Sequence, residues 1–435
     1  MRTNVRAKSN LQTYEGAPAH PINTEQMLRR SVLSCFLFEN EFYEDGEEIA
    51  GRIERLVGEV KPEVVSALAI EARSTFNLRH APLFLARALA RVAKGPIVAE
   101  TIAGVIQRAD ELSEFLALYW KDKRQPLSAQ VKRGLRMAFQ KFDAYGLAKY
   151  DRDGVVKLRD VMRMVHPKPK DAEQAALWKQ VVNRTLESPD TWEVALSGGA
   201  NKKETFERLI REGGLGYLAL LRNLRNMVQT GVDEALIRSA IIARKNGAQR
   251  VLPFRYIAAA RAAPNLEPAI DQALCEAIAE LPVLLGRTII LVDVSGSMQE
   301  RLSAKSDLMR MDAAAALASI VPGDVRVLTF SNALIEVPPR RGMAGVDAVI
   351  NSQPHGGTLL GQAVQVVNGM SHDRLIVITD EQSHDRVPEP TSRRAYMINV
   401  ASARNGVGYG RWIHIDGFSE SVLRFINEYE RSRTD

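Results

Sequence analysis

The periodicity of apolar residues changes once along this 435-residue chain, near residues 281–287. Across residues 22–280, apolar side chains recur at i, i+3 and i+4, and Leu, Ala, Arg and Glu dominate, which predicts helices almost throughout. From residue 288 onwards, short apolar runs alternate with helical segments. The change predicts two folded parts of different architecture, preceded by a flexible polar arm over residues 1–20.

Short breaks at proline and glycine divide the helical part, for example at Lys61-Pro62, Gly95-Pro96 and Gly213-Gly214. Pro62 and Pro96 are each predicted in the first turn of a helix, where a missing N–H costs little. Many helices of about 10–14 residues with short connections are typical of an α-solenoid or a bundle. Because no clean sequence repeat is present, a solenoid here would be a degenerate one.

Three runs in the second part of the chain are largely apolar on both faces. They are IILVDV from Ile289, VRVLTF from Val325 and LIVITD from Leu375. Such runs are typical of strands in a parallel sheet that is covered by helices on each side. Residues 285–435 are therefore predicted to form a doubly wound α/β domain, with ligands beyond the carboxyl ends of its strands.

Oxygen-bearing side chains follow two of these runs and open one of the helices. They are Asp293, Ser295, Ser297, Thr358 and Asp380. Because the carboxyl ends of parallel strands meet at one edge of a sheet, these side chains are predicted to converge there. An oxygen-only set suits Mg²⁺, with water in the remaining positions. The alternative is that they cap the following helices, but the three segments occurring in order favour the metal site.

The segments DVSGSM, GGT and ITD resemble those of the von Willebrand factor A domain and its metal-ion-dependent adhesion site. The resemblance implies that Ser295, Ser297 and Thr358 contact Mg²⁺ directly, whereas Asp293 and Asp380 act mostly through water. In such sites a carboxylate from a partner often completes the metal shell, which implies a binding module. An enzyme is not predicted, because one hydroxyl-held metal ion lacks the two-metal arrangement of most nucleases and no GxxxxGK[ST] loop is present.

Positive charge is concentrated in the helical part. Residues 1–280 carry 42 Lys and Arg against 35 Asp and Glu, whereas residues 281–435 carry 16 against 17. Within residues 121–170 the numbers are 14 and 5. A local excess of this size indicates a surface for a polyanion. The alternative is a solvated helical surface that happens to be basic.

Three segments of the helical part resemble the Ro autoantigen family, whose TROVE module is shared by Ro, telomerase-associated and vault proteins. They are 16-GAPAHPINTEQMLRRSVL-33, 149-KYDRDGVVKLRDVMRMVHPKPKD-171, and 215-LGYLALLRNLRNMVQTGV-232 together with 251-VLPFRYIAA-259. In the first segment Ser31 stands where the family has phenylalanine. The resemblance implies a multidomain, mostly α protein. A ring-like α-solenoid of HEAT-like helical pairs would span residues 21–284 and be closed by the A domain at 285–435.

The Ro resemblance implies an RNA-binding scaffold. Such proteins hold small structured Y RNAs on the outer surface and the single-stranded 3′ ends of misfolded RNAs in a central hole. The bacterial members act in RNA quality control, with a Y RNA tethering an exoribonuclease. Lys149, Arg163 and His166 occupy family positions that contact Y RNA or lie beside those that do. Asp153 stands where the family often has a basic residue, which leaves the mode of Y RNA binding open.

Further cations are predicted to contact RNA in two places. Beside the Y RNA positions these are Arg152, Lys157 and Arg159, and in the inner hole they are Lys202, Lys203, Arg222 and Arg225. Arg159, Arg163 and His166 are spaced i, i+4 and i+7, so one helix face can carry all three. The alternatives are that His166 interacts with carbonyls at a helix end and that Arg222 and Arg225 form salt bridges between adjacent helices.

The cellular location of the protein is predicted from features that the sequence lacks. Cys35 and Cys275 are its only cysteines, which favours a reducing, cytoplasmic location. No apolar run reaches the ~18–20 residues of a membrane span, and the N-terminal residues lack the apolar core of a secretion signal. A closed ring implies a monomer. The second hypothesis is a metal-dependent, adhesion-type A-domain protein that binds only protein, and it predicts binding that is insensitive to salt.

Overall fold

The computed structural model describes residues 11–33, 46–151, 153–187, 190–197, 199–251, 253–302, 308–338, 340–401, 405–417 and 421–431. Within these ranges, sixteen α-helices precede the first β-strand. They are α1 (Thr24–Leu33), α2 (Gly46–Glu59), α3 (Pro62–Ser74), α4 (His80–Val92), α5 (Pro96–Val105), α6 (Asp110–Tyr119), α7 (Ala129–Phe139), α8 (Ala144–Tyr150), α9 (Leu158–Val165), α10 (Ala172–Asn183), α11 (Trp192–Ser197), α12 (Lys202–Arg211), α13 (Tyr217–Gln229), α14 (Glu234–Ala243), α15 (Pro253–Ala262) and α16 (Glu267–Ala279).

Local chemistry sets the ends of these helices. Pro62 and Pro96 are the first residues of α3 and α5, as predicted. The Ser128 hydroxyl accepts a hydrogen bond from the amide of Val131 at the start of α7, and Asp171 caps α10 in the same way. These caps satisfy backbone N–H groups that have no partner within the helix.

The helices stack as a solenoid, in which many of them pack against the next helix or the next but one. α3 packs against α4 and α5, α5 packs against α7, and further along α13 packs against α15 and α14 against α16. One apolar core runs from α1 to α10, with Phe115 and Phe139 fully buried. A second core starts at Phe206 in α12 and continues into the α/β domain. The predicted α-solenoid is confirmed.

The α/β domain contains a six-stranded sheet in the order β3-β2-β1-β4-β5-β6. The strands are β1 (Leu284–Asp293), β2 (Gly323–Phe330), β3 (Leu334–Val337), β4 (Arg374–Thr379), β5 (Arg394–Asn399) and β6 (Ile413–Asp416). The helices are α17 (Arg310–Ile320), α18 (Gly342–Ile350), α19 (Leu360–Asn368) and α20 (Ser421–Arg431). All neighbouring strands are parallel except β2 and β3, which are antiparallel.

Both faces of the sheet are covered, as the apolar runs predicted. Ile289 and Leu291 of β1 belong to a core that they share with α19. Ile290 and Val292, which alternate with them, pack in the core that contains α17, α18 and α20. The doubly wound arrangement is confirmed. Two elements were missed: the short edge strand β3, and α18, whose segment is rich in glycine.

The two ends of the solenoid both contact the α/β domain. At the C-terminal end, α15 packs against α17 and α16 packs against α18, where the Met343 amide donates to Asp271 Oδ1 at 2.8 Å. At the N-terminal end, α1 packs against β6. The intervening helices are joined by contacts between successive pairs, and Lys149 of α8 lies 3.7 Å from Glu193 of α11. The chain therefore closes on itself through the α/β domain.

Residues 11–20, the described part of the polar arm, lie against the α/β domain. Gln12 and Pro18 form a β-bridge, and the Thr13 hydroxyl, which is buried, donates to the Ser383 carbonyl at 2.8 Å. The His20 amide donates to the Gly406 carbonyl at 3.1 Å. This turn, called the N-terminal hairpin below, extends the contact that α1 makes.

In the described part of the chain, no helix combines the length and the apolar character that a membrane span requires.

Candidate functional site

The five predicted metal ligands lie at the carboxyl edge of the sheet. Asp293 ends β1, and Asp380 follows β4, the strand that pairs with β1 in parallel. The Ser297 hydroxyl donates to Asp380 Oδ2 at 2.6 Å, and the hydroxyls of Ser295 and Ser297 are 3.4 Å apart. Asp293, Ser295, Thr358 and Asp380 are buried. We call this group the metal edge.

Glycines bring the loop that carries Thr358 close to the loop after β1. The Gly296 amide donates to the Gly356 carbonyl at 3.0 Å. A Cβ on Gly356 would lie 2.2 Å from Nδ2 of Asn332, which follows β2, so a side chain here would have to displace Asn332. The Thr358 amide donates to His384 Nδ1 at 3.0 Å, which orients the threonine from the far side. Backbone packing therefore holds the third hydroxyl near the two serines.

The electrostatics of the metal edge fit a bound cation. Burial, together with the neighbouring charge of Asp380, raises the pKa of Asp293 to about 7. Two buried carboxylates whose charges repel each other are costly to ionise together, and a cation between them would remove that cost. Among the described residues no three His, Cys, Asp or Glu side chains cluster around a possible metal position. A cation here would therefore depend on the hydroxyls, as in the oxygen-only site predicted from the sequence.

The N-terminal hairpin lies beside the metal edge. The Tyr14 amide donates to Gln382 Oε1 at 2.7 Å, two residues beyond Asp380. The Glu15 carboxylate lies 3.0 Å from Nε2 of His384, the residue that accepts from the Thr358 amide. No sequence pattern predicted this contact, because the two partners are far apart along the chain.

A buried ion cluster joins α1 to the α/β domain directly beside the metal edge. Arg30 of α1 and Glu381 are each at most 1% exposed, and Arg30 Nη1 lies 3.1 Å from Glu381 Oε2. Glu381 also contacts His414 Nε2, and His414 Nδ1 lies 3.4 Å from Asp416 Oδ2. The Tyr409 ring stacks on His414 with centroids 4.1 Å apart. We call this group the ring latch, because it fixes the N-terminal end of the solenoid.

The charges of the ring latch depend on one another. Burial alone would raise the pKa of Glu381, but the charges of His414 and Arg30 outweigh it and lower the pKa to about 2. Burial alone would lower the pKa of His414, but Asp416 and Glu381 raise it to about 9. His414 is therefore protonated at neutral pH, and the cluster contains two cations and two anions.

Stability is expected to fall as the pH rises from 6.5 to about 9, because His414 then loses its proton and leaves two buried carboxylates with Arg30 alone. Because the pKa of His414 is higher in the folded than in the unfolded state, its proton stabilises the fold fully below the unfolded-state pKa and no longer above the folded-state pKa. The expected loss of unfolding free energy is on the order of 2–3 kcal/mol. Urea unfolding at pH 6.5 and pH 9.5 measures the loss. His414→Gln should remove most of it, whereas His80→Gln, at an exposed position, should not.

Two of the residues predicted to contact Y RNA, Arg163 and His166, lie at the end of α9. Arg163 and His166 are exposed, and within the described residues neither side chain forms an ion pair. His166 caps α9 in the left-handed conformation, with φ 50° and ψ 63°. A residue before a proline prefers extended backbone, so the backbone is strained at a position whose side chain is exposed. Strain of this kind is typical of functional positions.

Helices α7 and α10 enlarge this basic surface. Arg136 of α7 donates to the Val165 carbonyl, and Gln140 donates to the Lys168 carbonyl at 2.8 Å. Lys179 of α10 lines the same cavity as Arg163 and His166. Arg163, His166, Lys168 and Lys179 together are called the α9 surface. Sequence reasoning missed Lys168 and Lys179, although the Lys-Pro pair after His166 was a signal for the first.

Several other predicted cations are neutralised by neighbouring acids. Lys157 and Arg184 lie 2.7 and 3.1 Å from Asp153, the position that departs from the Ro pattern. Lys149 lies 3.7 Å from Glu193, and its Nζ also faces the rings of Tyr145 and Tyr150. Arg159 approaches Asp160 at 3.9 Å. Arg152 lies outside the described residues.

The cations predicted for the inner hole lie on α12 and α13, two helices whose apolar faces pack in the second core. Arg222 and Arg225 are exposed on one face of α13 while Leu220, Leu221 and Leu224 are buried on the other, as predicted. The Arg225 Nε donates to the Ala262 carbonyl at 3.4 Å, whereas Arg222 has no ion pair within the described residues. Lys202 starts α12, and Lys203 lies 4.0 Å from Glu207. The helices that carry these cations pack in the second core, whereas α9 packs in the first.

Similarity to known proteins agrees with this arrangement. The TROVE domain family matches residues 25–185 and 184–280. A stretch of 86 residues, 19% of the chain, is 35% identical to Telomerase protein component 1 of Mus musculus and 34% identical to that of Rattus norvegicus, but it covers only 3% of either relative. The crystal structure of the Deinococcus radiodurans RO (RSR) protein matches over 94% of this chain and 100% of its own, with a TM-score of 0.60 and 18% identity.

A helical solenoid closed by a doubly wound α/β domain is the fold that this chain shares with the Ro protein. The chain belongs to the TROVE domain family. This membership and the shared fold support an RNA-binding role of the Ro type.

Proposed function

We propose that the protein is a cytoplasmic, monomeric scaffold in RNA quality control, which holds a small structured Y-type RNA on the α9 surface. The single-stranded 3′ ends of misfolded RNAs would bind Lys202 and Arg222 on the second core. An exoribonuclease partner would be held through the Y-type RNA. The observation that carries this proposal is the α9 surface itself, where the exposed side chains of Arg163, His166, Lys168 and Lys179 form no ion pair among the described residues, whereas Lys157 and Arg184 nearby are paired with Asp153.

The physical basis of the proposal is that RNA phosphates need cations that are not already neutralised. Arg163 meets this condition, and His166, three residues further on, can stack on a base or hydrogen-bond a phosphate of the same RNA strand. Lys157 and Lys149 meet it less well, because Asp153 and Glu193 compete with phosphate for them. We therefore assign the main contribution to Arg163 and His166.

Binding of a structured hairpin RNA with a single-stranded 3′ tail is expected to weaken roughly fortyfold between about 50 and about 200 mM salt, if three phosphates are contacted. Arg163→Ala/His166→Ala should weaken it roughly ten- to hundredfold, because each charged hydrogen bond is worth about 1.5–3 kcal/mol and part of that remains in water contacts. Arg222→Ala should weaken binding only when the tail is present. Gel shift and fluorescence anisotropy measure all three effects.

The control for this experiment is Arg326→Ala, which removes an exposed arginine of the α/β domain that is paired with Glu336. It should leave RNA affinity unchanged. Indifference of the unaltered protein to salt and to the 3′ tail would favour the second candidate, a metal-dependent adhesion-type protein that binds only protein partners.

The metal edge is proposed to hold Mg²⁺, or another divalent cation, as a docking point for an acidic partner group. Ser295, Ser297 and Thr358 would contact the ion directly, and Asp293 and Asp380 would act mostly through water. The ion would supply an open coordination position to a carboxylate. The support for this is the convergence of two carboxylates and three hydroxyls at one buried edge, with the pKa of Asp293 raised by its neighbour.

Mg²⁺ is expected to raise the melting temperature by several degrees relative to EDTA, because a ligand at a hundredfold excess over its Kd stabilises the folded state by about 2.7 kcal/mol. Thr358→Val should remove most of this Mg²⁺-dependent increase. Ser74→Ala, which removes an exposed hydroxyl on α3, should keep it. Equal melting temperatures with Mg²⁺ and EDTA in the unaltered protein, together with no heat of binding in calorimetry, would contradict the proposal.

A further inference from the structure

The N-terminal hairpin has an acidic residue at the tip of its turn. The Gly16 amide donates to the Thr13 carbonyl at 3.2 Å, and Gly16 has a φ of 93°, which closes a tight turn around Glu15. The Ala17 amide donates to the Thr13 hydroxyl at 3.0 Å. A left-handed glycine after a tight turn is typical of a three-residue hairpin loop. Glu15 is therefore held at a defined place in the loop.

This turn is docked on the chain segment that follows Asp380. The Thr13 hydroxyl donates to the Ser383 carbonyl at 2.8 Å, and the Tyr14 amide donates to Gln382 Oε1 at 2.7 Å. Thr13, Gln382 and Ser383 are all buried. Because leaving a buried polar group without its partner is costly, these hydrogen bonds fix the hairpin directly beyond a predicted metal ligand.

The negative charge of Glu15 is oriented by its neighbour but not neutralised. Glu15 Oε2 lies 3.0 Å from His384 Nε2, and Nδ1 of the same ring accepts from the Thr358 amide at 3.0 Å. A ring nitrogen that accepts carries no proton, so the imidazole is neutral and donates from Nε2 to Glu15. Among the described residues, no Lys or Arg forms an ion pair with Glu15.

Glu15 thus brings a third carboxylate to the side of an edge that already has two. It does not join Asp293 and Asp380 in one cluster of close ligands, so any contact with a bound ion would pass through water. Mg²⁺ keeps several waters in most protein sites, and a carboxylate beside the site can accept a hydrogen bond from one of them. Negative charges gathered in this way favour a cation between them.

We infer that Glu15 holds the water in the open coordination position of the metal edge, so that the N-terminal hairpin covers the docking point from within the chain. The inference rests on the proposed metal site and deepens it, because it identifies what an acidic partner must displace. The carboxylate of a partner takes the open position after the loop tip has moved and Glu15 has released the water. The hairpin therefore controls access to the metal edge.

Glu15→Gln tests the inference, because the amide oxygen can keep the hydrogen bond from His384 while the charge is lost. In calorimetric titration with Mg²⁺, the variant should bind roughly tenfold more weakly than the unaltered protein, since losing a residue that supports a metal ligand costs about 10–100-fold in affinity. Glu25→Gln, which removes an exposed glutamate at the start of α1, should bind Mg²⁺ as the unaltered protein does.

Two further measurements examine the hairpin as a cover. At saturating Mg²⁺, Glu15→Gln should bind a poly-glutamate peptide several-fold tighter than the unaltered protein, and EDTA should abolish this difference. In the unaltered protein, Mg²⁺ should slow hydrogen exchange at the amides of Ala17 and Ala19, which both donate within the hairpin. Glu15→Gln should lose this slowing.

The failure of the inference is distinct from that of the metal site. No heat of Mg²⁺ binding in the unaltered protein would contradict the metal site and the inference with it. Mg²⁺ binding that Glu15→Gln leaves unchanged would overturn the inference alone. Thr13→Val removes the hydroxyl that docks the hairpin and keeps Glu15. If Thr13→Val weakened Mg²⁺ binding and Glu15→Gln did not, the hairpin would support the edge without any contribution from the Glu15 carboxylate.

Discussion

Arg30→Met is expected to lower the free energy of unfolding by roughly 3–5 kcal/mol, because it leaves Glu381 and Asp416 buried without one of their two cations. Arg30 is 1% exposed and lies 3.1 Å from Glu381 and 4.0 Å from Asp416. Its Nη2 also donates to the Asn405 carbonyl at 3.4 Å. No water can take over these contacts in a cluster that is closed to solvent. Urea unfolding at pH 7 measures the change.

The neighbouring residue supplies a matched control. Arg29 forms an ion pair with Glu71 at 2.5 Å, but the two side chains are 38% and 34% exposed. Exposed pairs contribute about 0–1 kcal/mol, so Arg29→Met should be nearly neutral. Equal losses in the two variants would mean that the ring latch does not fix α1 to the α/β domain. Faster hydrogen exchange in α1 of Arg30→Met alone would locate the damage at the junction.

The ring latch also shows where sequence reasoning stops. Arg30 and Glu381 are 351 positions apart, and neither belongs to a motif that indicates a partner. The sequence of a basic helical segment does not distinguish a buried arginine from an exposed one, because burial depends on how distant parts of the chain pack together. The metal edge is the opposite case. Asp293 ends β1 and Asp380 follows β4, and these strands are neighbours in a parallel sheet, so a local pattern and one rule of topology were enough to bring them together.

The α9 surface lies between these two cases. Arg163 and His166 were predicted because the local segment that contains them resembles the Ro family. Lys179 was not, because it reaches the surface only through the packing of α10 on α9. The departure at Asp153 was visible in the sequence, but its consequence depends on Arg184, which is 31 positions away and comes within 3.1 Å. Whether a cation is available to RNA is thus set by tertiary neighbours, and composition gives only the total.

Arg163→Glu, which reverses a positive charge, and Asp153→Asn, which removes a negative one, should change the affinity for RNA in opposite directions. At about 0.15 M salt each phosphate contact contributes roughly fivefold to affinity, because the binding constant scales with salt to the power of about −0.9 per contact. Arg163→Glu removes one contact and adds a repulsion of similar size, so affinity for a structured RNA should fall roughly thirtyfold. Asp153→Asn releases Lys157 and Arg184 from their shared acid and should raise it at least about fivefold.

The α/β domain offers controls with the same changes in net charge. Arg326 and Glu336 form an exposed pair at 2.8 Å on the antiparallel strands β2 and β3. Arg326→Glu and Glu336→Gln alter the total charge as Arg163→Glu and Asp153→Asn do, but away from the α9 surface. If total charge alone governed binding, each control would match its counterpart. Salt screens charges that lie farther than a Debye length of about 8 Å from the phosphates. The controls should therefore change affinity less than twofold. The slope of log affinity against log salt should decrease in magnitude by about two in Arg163→Glu, because of the lost contact and the added repulsion, and should increase by about one in Asp153→Asn.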